Sequence, residues 1–235
     1  MQRAWRLAPW LSGLAVLLLV AAGPASRLGL WDFRTGFQLL RWAAYLGIAG
    51  AGTGLLSLLW RPPGTRPWRP VVAIVLGLFA VLLPWRWMEE ARKVPPIHDI
   101  TTDTERPPEF VAVLPLRADA PNSAEYEGEA VAAQQRTAYP DIAPLRLDRP
   151  PGETFARALE QARESGWEIV AADSAAGRIE ATATTFWFGF RDDVVVRVTP
   201  DAGGSRVDVR SVSRVGRSDV GANARRIRAY LDRLR

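Results

Sequence analysis

The segment VPPIHDITTDTERPPEF, residues 94–110, holds the only histidine of a 235-residue chain. His98 with Asp99 and Asp103 brings together an imidazole that changes charge near neutral pH and two carboxylates, the minimum for general acid–base catalysis. In an extended chain residues two apart face the same way, so His98, Ile100 and Thr102 point to one side and Asp99, Thr101 and Asp103 to the other. A joint site then needs a bend. The structural alternative is a docked strip whose hydroxyls and carboxylates satisfy backbone groups. On that reading His98 and Asp99 each contribute roughly the 1–2 kcal/mol of a buried hydrogen bond.

A second group lies in FGFRDDVVV, where Asp192 and Asp193 stand side by side as a paired acid or ligand site. Phe188, between Phe186 and Phe190, offers a platform, and Arg191 adjoins it. The plainer reading makes the aspartates a turn and the phenylalanines core. RSVSRVGRSD, 210–219, sets Arg210, Arg214 and Arg217 near a helix start that could receive an anion. Pairing with Asp192, Asp193 or Asp208 is the alternative use of these guanidinium forks. The chain has no cysteine and a single lysine, Lys93, which excludes disulfides, thiolate zinc sites, cysteine nucleophiles and a GxxxxGK[ST] phosphate loop. One histidine excludes HExxH. Neither a metal nor a cofactor is expected.

Charge divides the chain. Residues 1–93 carry 11 Lys+Arg against 3 Asp+Glu, and residues 94–235 carry 19 against 22. The sequence pI of about 10.3 therefore belongs to the N-terminal part and does not mark a nucleic-acid surface. Within the second part, residues 94–202 carry 10 basic and 19 acidic groups, and residues 203–235 carry 9 and 3. Mutual neutralisation across a folded domain is favoured over a phosphate- or lipid-binding tail.

The N-terminal part reads as membrane. Uncharged stretches of 20, 19 and 16 residues lie between Arg6 and Arg27, Arg41 and Arg61, and Arg69 and Arg86. At about 1.5 Å per residue the first two cross a hydrocarbon core of roughly 30 Å, and the third needs its arginines to snorkel. Eight of ten tryptophans, from Trp5 and Trp10 to Trp85 and Trp87, fall here near the ends of these stretches, where indole prefers the headgroup layer. The small residues Gly47, Gly50, Ala51 and Gly54 suit close helix packing, within the chain or against a membrane-protein partner or second copy. Flanking charges do not orient the spans: Arg3, Arg6, Arg61, Arg66 and Arg69 on one side face Arg27, Arg34, Arg41, Arg86, Arg92 and Lys93 on the other.

After residue 93 the pattern changes. Four prolines make 94–110 an extended strip. A helix is expected over 123–137 and another over 153–165, with Phe155, Ala158, Leu159 and Ala162 at helical spacing before Gly166. Strands follow at 167–173, through RIEATATTFWFGF, at 194–200 and at 205–215. A last helix puts Val220, Ala224, Ile227, Leu231 and Leu234 on one stripe, capped by Ser218 or Asp219. The domain is thus α+β, an α-β-β-β-β-α order with an antiparallel sheet and its helices on one face.

PPIHDITTDTERPPEF, AYPDI with a following PL, GW, FGFRDDVVVRV and SRVDVRSVSRVGRSDVGANARRIRAYL together resemble the bacterial and plastid family catalogued as domain of unknown function (DUF) 1499, over roughly residues 94–235. The resemblance implies no reaction, cofactor or catalytic residue. It implies an exported, envelope-facing setting, because such domains often follow a lipoprotein signal or membrane helices. This chain has no cysteine to acylate, which leaves the helices as anchor.

The reading is an integral, multi-pass inner-membrane protein: residues 1–93 hold three transmembrane helices, and residues 94–235 form a periplasmic binding or assembly domain. A hydrolase-like enzyme using His98 with nearby carboxylates, and an accessory subunit of a membrane transport complex, are the alternatives. The lipid bilayer is the expected partner, and nucleic acid is not.

Overall fold

The computed structural model describes residues 4–60 and 66–235. Arg3 and Arg61, counted among the flanking charges, and the side chains of Trp5 and Arg6 lie outside the described residues. The chain divides into two compact units: Met1–Arg92 with Phe186–Gly189, and Lys93–Thr185 with Phe190–Arg235.

The first unit is helical: α1 (Ala4–Arg27), α2 (Phe33–Leu59) and α3 (Trp68–Arg92). All three are long and apolar enough to cross a membrane. α2 begins well before Arg41 because Asp32 caps it, Oδ1 accepting the amides of Arg34 and Thr35 at 2.7 and 3.0 Å. α3 runs past Arg86 to Arg92, so the short uncharged stretch sits inside a 25-residue helix. The helices pack through small residues. A Cβ on Gly47 would lie 2.7 Å from the Gly77 carbonyl oxygen, and one on Gly54 would lie 2.9 Å from that of Pro70. Ser12, beside Gly50, donates to the Ala73 carbonyl at 2.7 Å. The face bearing Gly47, Gly50, Ala51 and Gly54 is thus used inside the chain, the first of the two uses its composition allows.

The second unit contains β1 (Asp99–Thr101), α4 (Glu129–Ala138), β2 (Leu145–Leu147), α5 (Pro151–Glu164), β3 (Glu168–Asp173), β4 (Arg178–Thr184), β5 (Arg191–Asp201), β6 (Gly204–Ser213) and α6 (Ala222–Leu234), with a short 3-10 helix at Leu114–Arg117. Its sheet is antiparallel, ordered β1-β6-β5-β4-β3, and β2 pairs with β6 alongside β1. Gly166, at φ +73°, takes the left-handed turn that ends α5.

Alternation gives the sheet two unlike faces. On one, Ile179, Ala181, Ala183, Val194, Val196, Val198, Val207 and Val209 meet Val131 of α4, Phe155, Ala158 and Ala162 of α5, and Ala224, Ile227, Tyr230, Leu231 and Leu234 of α6. Trp167 stacks on Tyr230 at 4.7 Å, and the Tyr230 hydroxyl donates to the Ala158 carbonyl at 2.8 Å. The other face carries Arg178, Glu180 and Thr182 of β4, Asp193, Val195 and Arg197 of β5, and Arg206, Asp208, Arg210, Val212 and Arg214 in and just beyond β6. Residues 102–124 cover it, with a small apolar cluster of Phe110, Val113, Val195 and Val212 beneath them.

Several local expectations change. The strip 94–110 contributes an edge strand, β1, whose outer side is closed by α4: Gln135 Oε1 accepts the Thr101 amide at 3.0 Å and Gln135 Nε2 donates to the Thr101 carbonyl at 2.6 Å. A side-chain amide so replaces a neighbouring strand. The helix expected over 123–137 begins only at Glu129, after Gly128 at φ +76°. The strand expected through FWFGF ends at Thr184, and Phe186 is 83% exposed instead of core. Asp192 and Asp193 lie within β5, not in a turn, and so face opposite sides of the sheet. Val220 precedes α6 at φ +53° and stays off its stripe. The N-cap position of α6 is Gly221, not Ser218 or Asp219; Asp219, two residues earlier, accepts the Gly221 and Asn223 amides at 2.7 Å each.

A fragment of residues 93–235 is expected to be soluble without detergent and to unfold in one cooperative transition, since both its apolar clusters are internal to it. Phe186→Ser, Trp187→Ser and Phe188→Ser together should leave its melting midpoint unchanged, because none of the three rings belongs to either cluster. Aggregation of the fragment, or a broad non-cooperative melt by circular dichroism, would refute this boundary.

Candidate functional site

The charged face of the sheet is built from three carboxylate nests. In the first, Asp193 is fully buried. Its Oδ2 accepts Arg117 Nη1 at 2.6 Å and Arg214 Nε at 2.9 Å, and its Oδ1 accepts Thr182 Oγ1 at 2.7 Å and Arg214 Nη2 at 2.8 Å. In the second, Arg210 grips Asp99 bidentately, Nε to Oδ1 at 3.0 Å and Nη2 to Oδ2 at 2.7 Å, while its guanidinium lies over the rings of Phe110 and Tyr126. In the third, Arg206 Nη2 reaches Asp103 at 2.7 Å and Asp208 at 2.9 Å, and Arg197 reaches the same two carboxylates at 3.3 and 3.1 Å.

The covering segment is held by the same groups. Arg117 Nη2 donates to the carbonyls of Asn122 and Ser123, Arg214 Nη1 to Leu116, Arg210 to Pro108 and Ala124, and Arg197 to Arg106. Buried Glu180 works with the opposite polarity, its Oε2 accepting the amides of Val111 and Val113 at 3.0 Å each. Arg117, Arg197, Arg210, Arg214 and Glu180 therefore each fix a piece of main chain as well.

Electrostatics separates the carboxylates. Burial is the largest influence on Asp193 and pushes it up, but hydrogen bonds from Arg214, Thr182 and Arg117 outweigh it and hold the group below the usual aspartate range. Asp103 is lowered in the same way: burial opposes, while the Arg106 amide, the Arg206 charge and the Glu105 amide win. Burial raises Asp99 against the pull of Arg210, and raises Asp219 against the amides of Asn223 and Gly221. Burial, then the charge of Asp99, pushes Tyr126 up to about 12, so its hydroxyl stays protonated.

The nine candidate residues do not converge. Asp193 and Arg214 meet in the first nest. Asp99 and Asp103 fall in the second and third. His98 leaves the strip on the side away from Asp99: its Nε2 lies 3.6 Å from Glu127 Oε1 on a half-exposed glutamate, and its carbonyl accepts the Ser213 amide and Asn223 Nδ2 at 3.0 and 2.8 Å. Asp192 points to the helix face and pairs with Arg226 at 2.6 Å. Arg191 and Arg217 are exposed, and Phe188 belongs to the helical unit. Arg117, Glu180, Arg197, Arg206 and Tyr126 were not singled out by motif. The alternation Arg206, Asp208, Arg210, Val212, Arg214 was the available signal, since charges two apart in a strand must share a face.

Two clefts open where the covering segment crosses the sheet. One of about 560 Å³ is lined by Glu105, Arg106, Pro107, Pro108, Glu109, Val111, Ala176, Arg178, Val195 and Arg197. The other, about 320 Å³, shares Pro107 and Glu109 and adds Phe110, Leu114, Ala124, Glu125, Tyr126 and Arg210. Arg197 and Arg210 are committed to aspartates beneath, so the exposed charges at the rim, Glu105, Arg106, Glu109 and Glu125, are those a partner would meet.

The nests predict unequal costs for the candidate residues. Asp99→Ala and Asp193→Ala each strand buried arginines and should cost on the order of 3–5 kcal/mol. His98→Ala loses only a long contact to a half-exposed group and should cost less than about 1 kcal/mol. Because Asp193 and Asp103 titrate below their unfolded values, their stabilisation is complete above about pH 5 and is lost as pH falls through the folded values. Denaturation of the 93–235 fragment from pH 5 to 2 checks this: Asp193→Asn should flatten the acid slope, and an unchanged slope would show that the nest does not set it.

A family model described as "Protein of unknown function (DUF1499)" matches residues 99–234. Comparison with curated proteins returns no match. The matched span begins at β1 and takes in the whole sheet with all three carboxylate nests, and the chain accordingly belongs to the DUF1499 family.

Proposed function

We propose that this DUF1499 protein is an integral inner-membrane protein whose three helices cross the bilayer and whose sheet domain faces the periplasm as a binding or assembly module of the cell envelope. The observation that carries the module reading is the commitment of the charged side chains. Asp99, Asp103, Asp192 and Asp193 are each held by arginine, and the histidine faces a half-exposed glutamate. Groups that would have to move a proton or attack a substrate are consumed in fixing the fold. What the domain offers to a partner is the rim of the larger cleft, where Glu105, Arg106 and Glu109 stand beside Pro107 and Val111. Mixed charge around a small apolar floor suits recognition of a polar macromolecular surface.

Three crossings place the N-terminus and the domain on opposite sides, so topology is open to a direct test. Alkaline phosphatase fused after Arg235 should be active, and a fluorescent protein that matures only in the cytoplasm should be dark at the same position. The reverse pattern would put the domain in the cytoplasm and reject the envelope-facing reading. For the module itself, a photo-cross-linking amino acid at position 106 in living cells should give a discrete adduct that Glu109→Arg abolishes. Adducts at exposed Glu160 of α5 but none at 106 would remove the cleft as the contact surface.

A further inference from the structure

Phe186–Gly189 is the tip of the β4–β5 hairpin, closed by the Thr185 amide donating to the Phe190 carbonyl at 2.8 Å and the Phe190 amide to Thr185 Oγ1 at 2.9 Å. Three successive aromatic residues at a hairpin tip, outside both apolar clusters of the sheet unit, call for another apolar environment. The tip forms part of the helical unit, and the surface there is shaped to take it. A Cβ on Gly23 would overlap the Trp187 indole, and one on Gly36 would lie 2.8 Å from Phe188 Cε1. These glycines leave the notches that the two rings fill. Phe188 also meets Phe37 with ring centroids 5.0 Å apart, and Arg27 Nη1 donates to the Phe186 carbonyl at 2.6 Å. Phe186 remains 83% exposed, its ring 5.9 Å from the Arg27 guanidinium carbon and 6.5 Å from the Trp187 ring.

Depth along the helices identifies what that ring meets. Gly23 lies one helical turn before Arg27, and Gly36 one turn after the Asp32 cap. At about 1.5 Å per residue the tip sits roughly 6 Å inside the charged end of the bundle. In a bundle that spans a bilayer, that depth corresponds to the headgroup–acyl boundary, where aromatic rings are favoured. Trp31 is fixed at the same level, its Nε1 donating to the Ala22 carbonyl at 3.1 Å, and Leu28 and Leu30 are exposed there too. We propose that Phe186–Gly189 is a bilayer-interface anchor: Trp187 and Phe188 lock into the Gly23 and Gly36 notches, and Phe186 inserts among phospholipid headgroups and upper acyl chains. The proposal rests on the reading that the three helices span a bilayer.

The absence of cysteine lets single-cysteine variants of the full chain carry one fluorophore each. Labelled Phe186→Cys, Leu17→Cys at the lipid-exposed middle of α1, and Arg217→Cys on the second unit are placed in phosphatidylcholine–phosphatidylglycerol vesicles containing nitroxide lipids. The label at 186 should be quenched severalfold more by a nitroxide at the top of the acyl chain than by one at its end. The label at 17 should show the opposite order, and the label at 217 neither. Adding Gly23→Leu to Phe186→Cys should cut its quenching, with no change at 17 in the matching double variant. Quenching at 17 with none at 186 overturns the anchor and leaves the spanning helices standing. No quenching at 17 overturns both. Unchanged quenching at 186 in the Gly23→Leu background removes the notch as its cause.

Discussion

One face of the sheet is charged, and everything placed on it must answer for those charges. A guanidinium or carboxylate taken out of water without a partner costs several kcal/mol. Eleven positions in a contiguous patch on β4, β5 and the β6 strand with its exit include Glu180, Asp193, Arg197, Arg206, Asp208, Arg210 and Arg214. An apolar layer could not cover them. Residues 99–124 can, because they bring Asp99, Asp103 and Arg117 together with a run of free carbonyls and amides. Arg117, Arg197, Arg210 and Arg214 each hold an aspartate and also donate to a main-chain carbonyl of the covering segment. Pairs of this kind add little net stability over apolar packing, yet breaking one is expensive, so their effect is to select one path for the segment. Lysine is not equivalent here, since its ammonium lacks the planar fork with which Arg210 and Arg214 grip a carboxylate through two nitrogens.

Much of this architecture was legible in the sequence, for physical reasons that also mark the limit. α5 and α6 bury stripes at 3.6-residue spacing, and Ile179, Ala181 and Ala183 of β4 and Val207, Val209 and Val212 of β6 stand between polar neighbours, so these elements followed from local periodicity, while β3 and β5 read as strands from short apolar runs between turns. β1 and β2 are three residues long and are strands only because β6 offers them an edge. No local pattern encodes that offer. Phe186 and Phe188 continue the alternation of β4 in type, but Gly189 at φ +70° turns the chain, and aromatic rings suit either a core or an interface.

The candidate chemistry was legible by type and illegible by partner. Histidine among carboxylates is the same string of letters whether the imidazole meets them or not, and two-residue alternation alone separated His98 from Asp99. Asp192 and Asp193 illustrate the same limit from the other side. Adjacent acids read as a pair, yet inside a strand they are held by Arg226 on one face and by Arg117 and Arg214 on the other. The helical unit differs in kind: its glycines and Ser12 let helix backbones approach closely. There the residue type and the contact coincide, and the composition of α2 read correctly as close packing.

The pairing of β1 with β6 also sets the order in which the domain can come into being. Asp99 and its partner Arg210 are separated by 111 residues, and the first part of the domain to follow α3 is the part whose only strand neighbour is nearly the last made. Until β6 exists, the 94–124 segment has neither an edge to pair with nor the arginines that hold it, and it must wait as an open, soluble tether. Closing so long a loop is entropically slow. The hairpins of β3 to β6 can form locally during that interval, with the charged face uncovered. Pairing of the N-terminal strip therefore waits on β6, and the sheet lacks this edge strand until residue 213 is in place.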